Sequence, residues 1–342
     1  DGWPDLYVAN DMGPDDLYLN LQGKKFLRVQ GRDFGNIGLD SYKGMDSSLA
    51  DFARTGFLDI YVSNVHEPLH AEGSMLWMTR PTRDPFLPTF RDEATTRGAL
   101  NEHRWGWGAA VDDVDNDGWI DIVQANGMFD CRLERTNGTC PEWWYQNSKL
   151  IQAPTSIRSY ADMWGDMRGR SIYPSQARRL YLNRGDRPGP EFVDVADLAG
   201  IADPDNSRGV ALVDLDNDGA LDLVVTNQMR SPEIYRNTLY DADRPGPKPH
   251  WLGLQLVGDG TTCNRQAIGT QVELHYTQDG KPVRQLREVQ AVNGFAAQPD
   301  PRLHFGLGRY RGPVTASISW CGRPARPYTG LATDRYLVIQ QD

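Results

Sequence analysis

Trp105 to Asn126, WGWGAAVDDVDNDGWIDIVQAN, sets four carboxylates on one short loop. Asp113, Asp115, Asp117 and Asp121 occupy positions 1, 3, 5 and 9 of D-x-D-x-D-G-x-x-D. Like charges this close raise one another's pKa, so the loop is costly to ionise without a cation. A hard divalent ion removes that cost, and Ca2+ accepts about six to eight oxygen ligands. Gly118 follows the third acid, where a sharp turn calls for positive φ. Ile120, Ile122 and Val123 then supply the β-branched residues that strands favour. The unit is thus a ligand set that leads directly into a strand.

The unit recurs, which is the mark of a repeat architecture. Arg208 to Asn227 carries Asp214, Asp216, Asp218, Gly219 and Asp222 in the same places. The opening DGWPDLYVAN matches the second half of the unit through Asp1, Gly2, Asp5 and Asn10. Gly44 to Asn64 keeps Asp51, Gly56 and Asp59 but has Ala53 and Thr55 at the middle ligand positions. Two copies are metal-competent, one is half a copy contributing Asp1 and Asp5, and one has lost its middle acids.

Between the loops run short apolar segments punctuated by Gly, Asn and Asp, the pattern of a strand meander. They include LYVAN, DDLYLN and FLRV in the first repeat, then LDIYVSN, SMLWMT and TFRDEA in the second. Asp5, Asp59, Asp121 and Asp222 recur at intervals of 54, 62 and 101 residues, so the third interval holds an insertion at about 127–178. Long insertions on a repeat scaffold map to loops on one face, where binding often resides. Trp143, Trp144, Tyr145 and Trp164 are its aromatic candidates, with simple core filling as the alternative. The turn-rich DADRPGPKPH closes the repeats and marks a boundary between 1–249 and 250–342. Beyond it, QVELHY, RLHFGLG, VTASISW and YLVIQQ alternate apolar and polar residues, which predicts a small antiparallel β-sandwich.

The expected class is therefore all-β. The net charge of −10, with no Lys/Arg cluster, lacks the electrostatic footprint of a nucleic-acid binder. No apolar run is long enough to span a bilayer as a helix. Cys131, Cys140, Cys263 and Cys321 form no C-x-x-C pair, which weakens a zinc or redox reading. Proximity pairs Cys131 with Cys140, and shared membership of the C-terminal region pairs Cys263 with Cys321; buried free thiols are the alternative. Asn137-Gly138-Thr139 is a glycosylation sequon of common occurrence.

These residues carry a resemblance. The repeated D-x-D-x-D-G-x-x-D units, each followed by a hydrophobic strand and Asn, resemble the FG-GAP or VCBS-type repeats of β-propellers. The run NRQAIGTQVEL, REVQAVNGFAAQPDPRLHFGLG and SISWCG is similar to the ASPIC/UnbV domain. The combination is typical of the cartilage acidic protein family and its bacterial relatives. It implies a secreted or periplasmic calcium-binding propeller with a C-terminal β domain. It also implies that the backbone carbonyls of Trp119 and Ala220 join the carboxylates as ligands. Such propellers commonly have about seven blades, against about four units here, and a propeller closes its ring to protect strand edges. The expectation is either upstream sequence or another chain over an open edge. In the degenerate loop, Arg54 is expected to offset the charge of Asp51 and Asp59.

His66-Glu67-Pro68-Leu69-His70 spells the zinc-protease signature H-E-x-x-H. That motif requires a helix, which Pro68 disrupts, and it follows a strand where a turn is expected. No G-x-S-x-G or Gly-rich phosphate loop is present. The leading reading is a non-catalytic calcium-stabilised scaffold for a protein or glycan partner. The alternative is an extracytoplasmic enzyme, or an accessory subunit of one, with the insertion shaping its site.

Overall fold

The computed structural model describes residues 2–11, 13–29, 31, 34–40, 42–67, 70–83, 88–128, 175–228 and 230–342. Asp1, Cys131, Cys140, the Asn137 sequon and the aromatics Trp143, Trp144, Tyr145 and Trp164 lie outside these residues.

Four antiparallel meanders follow one another along the chain. The first pairs Leu6–Val8, Asp16–Asn20 and Phe26–Val29. The second runs Asp46–Ala50, Asp59–Ser63, Met75–Arg80 and Thr89–Asp92. The third runs Arg104–Asp112, Asp121–Asn126, Arg179–Asn183 and Phe192–Asp194, and the fourth Ser207–Val213, Asp222–Asn227 and Glu233–Tyr235. Their repetition extends to the register. The inner hairpin closes at Ala50↔Asp59, at Asp112↔Asp121 and at Val213↔Asp222, and equivalent bulges interrupt Gly106/Ala109 and Ser207/Val210.

Strands such as DIVQAN read as apolar runs because both faces are buried, one against each neighbouring meander. Ile122 packs with Tyr61, Leu76 and Met78 of the second meander, whereas its neighbour Val123 packs with Val210, Leu212 and Leu223 of the fourth. Period-two alternation thus divides one strand between two cores. Where the first meander packs on the second, Leu17, Leu19 and Val29 meet Ile60, Val62 and Trp77.

His66 and Glu67 sit in a two-stranded hairpin, Val65–Glu67 with His70–Ala71, attached to the edge of the third meander through Arg104↔His66. His66, Glu67 and His70 therefore lie on strands and not on the helix that brings both histidines of a zinc protease onto one face.

The last seven strands form two sheets. One contains His250–Val257, Leu303–Gly308 and Tyr336–Gln340; the other contains Gln271–Gln278, Lys281–Glu288, Val314–Ser319 and Arg326–Leu331. Val272, Leu274, Leu252, Leu254, Phe305 and Ile318 fill the space between them. Pairing is antiparallel apart from Gly253↔Tyr336 to Val257↔Gln340, where the final strand lies parallel to the first. An all-antiparallel sandwich is thereby amended at one edge, because the last strand returns from the other sheet by a crossover. A disulfide joins Cys263 to Cys321 across a sequence separation of 58, as domain membership suggested.

Candidate metal centre

The two complete acidic loops join the first and second strands of the third and fourth meanders, and their hydrogen bonds match atom for atom. Asp113 Oδ1 accepts from Asp117 N at 3.0 Å and its Oδ2 from Gly118 N at 2.6 Å. Asp214 does the same with Asp218 N at 3.1 Å and Gly219 N at 2.9 Å. Trp119 N donates to Asp117 Oδ1, and Ala220 N to Asp218 Oδ1. The turn needs left-handed backbone at two places, met by Asn116 (φ 59°) and Gly118 (φ 91°) in one loop and Asn217 (φ 62°) and Gly219 (φ 91°) in the other. Asn and Gly tolerate that region best.

Each loop gathers three carboxylates. One oxygen from each of Asp113, Asp115 and Asp117, and likewise from each of Asp214, Asp216 and Asp218, lies within 4.8 Å of the others. Two oxygens bound to one ion at about 2.4 Å stand at most about 4.8 Å apart, so both clusters fit a single hard cation. Burial, then the neighbouring Asp115 and Asp117, push the Asp113 carboxyl well above its usual range. Burial first and Asp117 second push Asp115 up to about 6. Burial also raises Asp117 and, with Asp115 and Asp113 adding to it, Asp121. In the second loop, burial raises Asp218, with Asp216 and Asp214 adding. A divalent ion among these oxygens would reverse the penalty.

Asp121 and Asp222, at position 9, do a different job from the other acids. Asp121 accepts from Val114 N at 2.9 Å and from Asn183 N at 2.8 Å. Asp222 accepts from Leu215 N at 3.1 Å and Asn237 N at 2.8 Å. In the half copy, Asp5 Oδ1 accepts from Asn20 N at 2.7 Å. Position 9 therefore ties the loop to the next strand of its meander or, at Asn237, to the residues just beyond it, and each of these oxygens keeps a lone pair for other partners.

The degenerate loop keeps this frame without its middle acids. Asp51 accepts from Thr55 N and Gly56 N, both at 2.7 Å, and Asp59 from Phe52 N and Thr79 N. Arg54 points away from these acids, contrary to the expected neutralisation. Its Nε donates to Gly118 O at 3.1 Å in the next loop, and its guanidinium lies 4.0 Å from the Trp119 ring centroid. The positive group beside Asp51 is Arg287.

Arg54 stands at position 4 of its loop, as Asn116 does in the next. Asn116 Nδ2 donates to Gly219 O and to Tyr240 Oη, both at 2.8 Å. Arg54 and Asn116 thus each reach the carbonyl of the position-6 glycine one loop further along. Asn217 turns instead to the C-terminal sheets, where Arg302 donates to its Oδ1 at 2.5 Å.

The C-terminal strands cover all three loops, a relation the sequence did not disclose. Arg284 donates to Thr55 O in the degenerate loop. Against the first intact loop, Gly308 N donates to Asn116 O at 2.8 Å, and a Cβ at Gly306 would collide with Asp113 Oδ2. His304 Nε2 meets Asn116 Oδ1. Since that oxygen can only accept, the proton is on Nε2, and burial pushes the His304 pKa down to about 3. Against the second loop, Tyr336 Oη donates to Asp214 Oδ2 at 2.5 Å and Arg302 donates to Asp214 O at 2.8 Å.

A separate open cavity of about 780 Å³ is lined by Asp205, Arg230, Ser231 and Glu233. Behind it the fully buried Arg178 pairs with Glu233 at 2.7 Å. Asp205 also bridges to Gln176, so the cavity adjoins the base of the insertion.

Residues 260–342 match the family model described as ASPIC and UnbV. Over 330 residues the chain is 27% identical to Cartilage acidic protein 1 of Xenopus tropicalis, covering 89% of this chain and 47% of that protein. The Mus musculus protein of the same name is 25% identical over 330 residues, again 89% of this chain and 47% of the relative. The Homo sapiens protein is 24% identical over 324 residues, 84% of this chain and 47% of the relative. The chain spans about half the length of the curated relatives it matches.

Proposed function

We propose that this chain, with its ASPIC and UnbV region and its similarity to cartilage acidic protein 1, is an extracytoplasmic calcium-stabilised binding scaffold. The supporting observation is the pair of loops with matching hydrogen bonds, each with three carboxylates close enough for one cation. The four meanders are read as propeller blades of residues 1–249, and residues 250–342 as a second domain docked on their loops. Calcium is the preferred ion because the donors are all oxygen and the loops are irregular, features that suit its flexible coordination. In this reading the side chains at positions 1, 3, 5 and 9 hold the ion with the carbonyls of Trp119 and Ala220. The ions fix the loops while exposed surface elsewhere meets the partner. The Cys263–Cys321 disulfide favours an oxidising compartment, secreted or periplasmic. Among the described residues, no helix is long and apolar enough to cross a membrane.

A partner of protein or glycan type would engage the insertion at 127–178 or the polar cavity at its base, which offers carboxylates and an arginine to hydroxyl or amide groups. The alternative, an enzyme or enzyme subunit built around that cavity, rests on the same carboxylates. Turnover of a glycan substrate, abolished by Glu233→Gln, would support the enzyme; binding without turnover supports the scaffold.

The metal reading has a direct test. Free calcium at about one hundred times Kd stabilises by about 2.7 kcal/mol per independent site. Thermal melts in millimolar calcium should therefore lie well above melts in chelator, and Asp115→Ala with Asp216→Ala should remove most of the difference. Coincident melting curves with and without chelator in the unmodified protein would sink the proposal.

A further inference from the structure

We propose that Tyr336 is a positioning residue for the cation site at 214–222, which makes that site dependent on docking of the C-terminal strands. The inference rests on the calcium reading above and adds a difference between two otherwise matching loops. Asp214 Oδ2 receives two hydrogen bonds, from Gly219 N at 2.9 Å and from Tyr336 Oη at 2.5 Å. The other oxygen, Oδ1, accepts from Asp218 N at 3.1 Å, and one Asp214 oxygen lies within 4.8 Å of an oxygen from each of Asp216 and Asp218. In the loop at 113–121, the matching oxygen accepts from Gly118 N and faces the bare Cα of Gly306.

Tyr336 is itself fixed by the C-terminal sheets. Its strand pairs with His250–Val257 at Gly253, where a Cβ would collide with the tyrosine ring. Trp251 meets the ring edge-on at 4.8 Å between centroids, and the Arg302 guanidinium lies 4.0 Å from the ring centroid. Arg302 is held by Asp300 and donates to both Asp214 O and Asn217 Oδ1. Trp251 also fills the space beside Gly219, whose Cβ would strike the indole. A clamp of Trp251, Arg302 and Tyr336 therefore holds the first ligand of this loop from outside.

The two sites also differ in access. The first ligands, Asp113 and Asp214, are both buried, but at the second position Asp115 is half-buried whereas the Asp216 side chain is 48% exposed. The second loop is open on one side and leans on the C-terminal strands on the other. Loss of an outer partner to a metal ligand typically costs about 10–100-fold in affinity. By linkage, an ion here must stabilise the docked strands to the same extent that docking stabilises the ion.

The experiment uses the whole chain and calcium alone, measured by calorimetric titration, with each site isolated in turn. Asp115→Ala leaves the second site and Asp216→Ala the first. Tyr336→Phe, which keeps the ring, should weaken calcium at least about tenfold in the Asp115→Ala protein and change it less than twofold in the Asp216→Ala protein. Hydrogen exchange provides a second readout: calcium should slow amide exchange in 336–340 of Asp115→Ala, and this protection should shrink with Tyr336→Phe. Equal losses at both sites, or unchanged affinity at the second, would overturn the role of Tyr336 while leaving calcium binding intact. Absence of calcium binding in the unmodified chain would overturn both readings.

Discussion

Asn116 shows how much one short side chain can hold together. It is fully buried in the left-handed region, its amide donates to Gly219 O and Tyr240 Oη, and its oxygen accepts from His304. Asn116→Gly keeps the backbone conformation and removes the contacts. Its expected cost in urea denaturation is at least about 2 kcal/mol, because buried partners are left unpaired. A loss under about 0.5 kcal/mol would show that water replaces the amide. Asp59 carries the pH prediction. Burial pushes its carboxyl up to about 7, so folding binds a proton that the unfolded chain releases near its ordinary value of 3.8. Its contribution is therefore present below about pH 4 and is lost as pH rises towards 7. In chelator, the stability of the unmodified protein relative to Asp59→Asn should decline across that window. The difference isolates Asp59 from His304, whose suppressed pKa acts in the opposite sense, destabilising as pH falls below 6.5. A relative stability that stays level or rises over the window contradicts this assignment.

At the scale of strands and loops, much was legible. The acidic loops, the strand after each, the meander and the strand placement of His66 and His70 follow from local rules: acid spacing, β-branched runs and a proline. The degenerate copy was recognisable from Asp51, Gly56 and Asp59, but the direction of Arg54 was not. Its target is a carbonyl 64 residues away in the chain, and long-range pairing leaves no local period. Position 9 was read as a ligand from its spacing. Its further role, accepting from an amide on or just beyond the following strand in all four copies, depends on strand pairing and so appears only when the chain is folded. The covering of the loops by Gly306, Arg302 and Tyr336 had no sequence signature, since strand glycines and alternating apolar residues occur in many sheets. Gly306→Ala tests that cover. The added methyl collides with Asp113 and with the backbone of Asn116, so it should destabilise by about 1–3 kcal/mol and weaken calcium at the first loop more than at the second. Equal effects on both loops would argue for general unfolding instead.

For the whole molecule, the seat of the C-terminal strands matters most. The C-terminal part touches the second meander through Gln290 to Leu49 O and Gly294 to Asp46, the third through Arg287 beside Asp112 at 3.9 Å, and the fourth through Val210 N to Gly294 O, besides the loops. Unfolding of the C-terminal part should therefore loosen the repeats. The disulfide between Cys263 and Cys321 closes a span of 58 residues within that part, and cross-links of this kind stabilise by about 2–4 kcal/mol. Cys263→Ser should lower the melting temperature and reduce calcium affinity at the second loop together, as followed by parallel calorimetry. A lower melting temperature with unchanged calcium binding would mean that the two parts unfold separately.

The position-4 side chains give the repeats a common address. Arg54 and Asn116 differ in length and charge, yet each delivers its hydrogen bond to the same atom of the following unit, the carbonyl of the glycine in its turn. The socket is a backbone atom of the repeat itself, so side chains as different as these two can fill the same joint. Among the described loops, the one at 214–222 has a different fitting, supplied by Arg302 at Asn217. At this joint the C-terminal strands stand in for the neighbouring loop that the other two position-4 side chains grip.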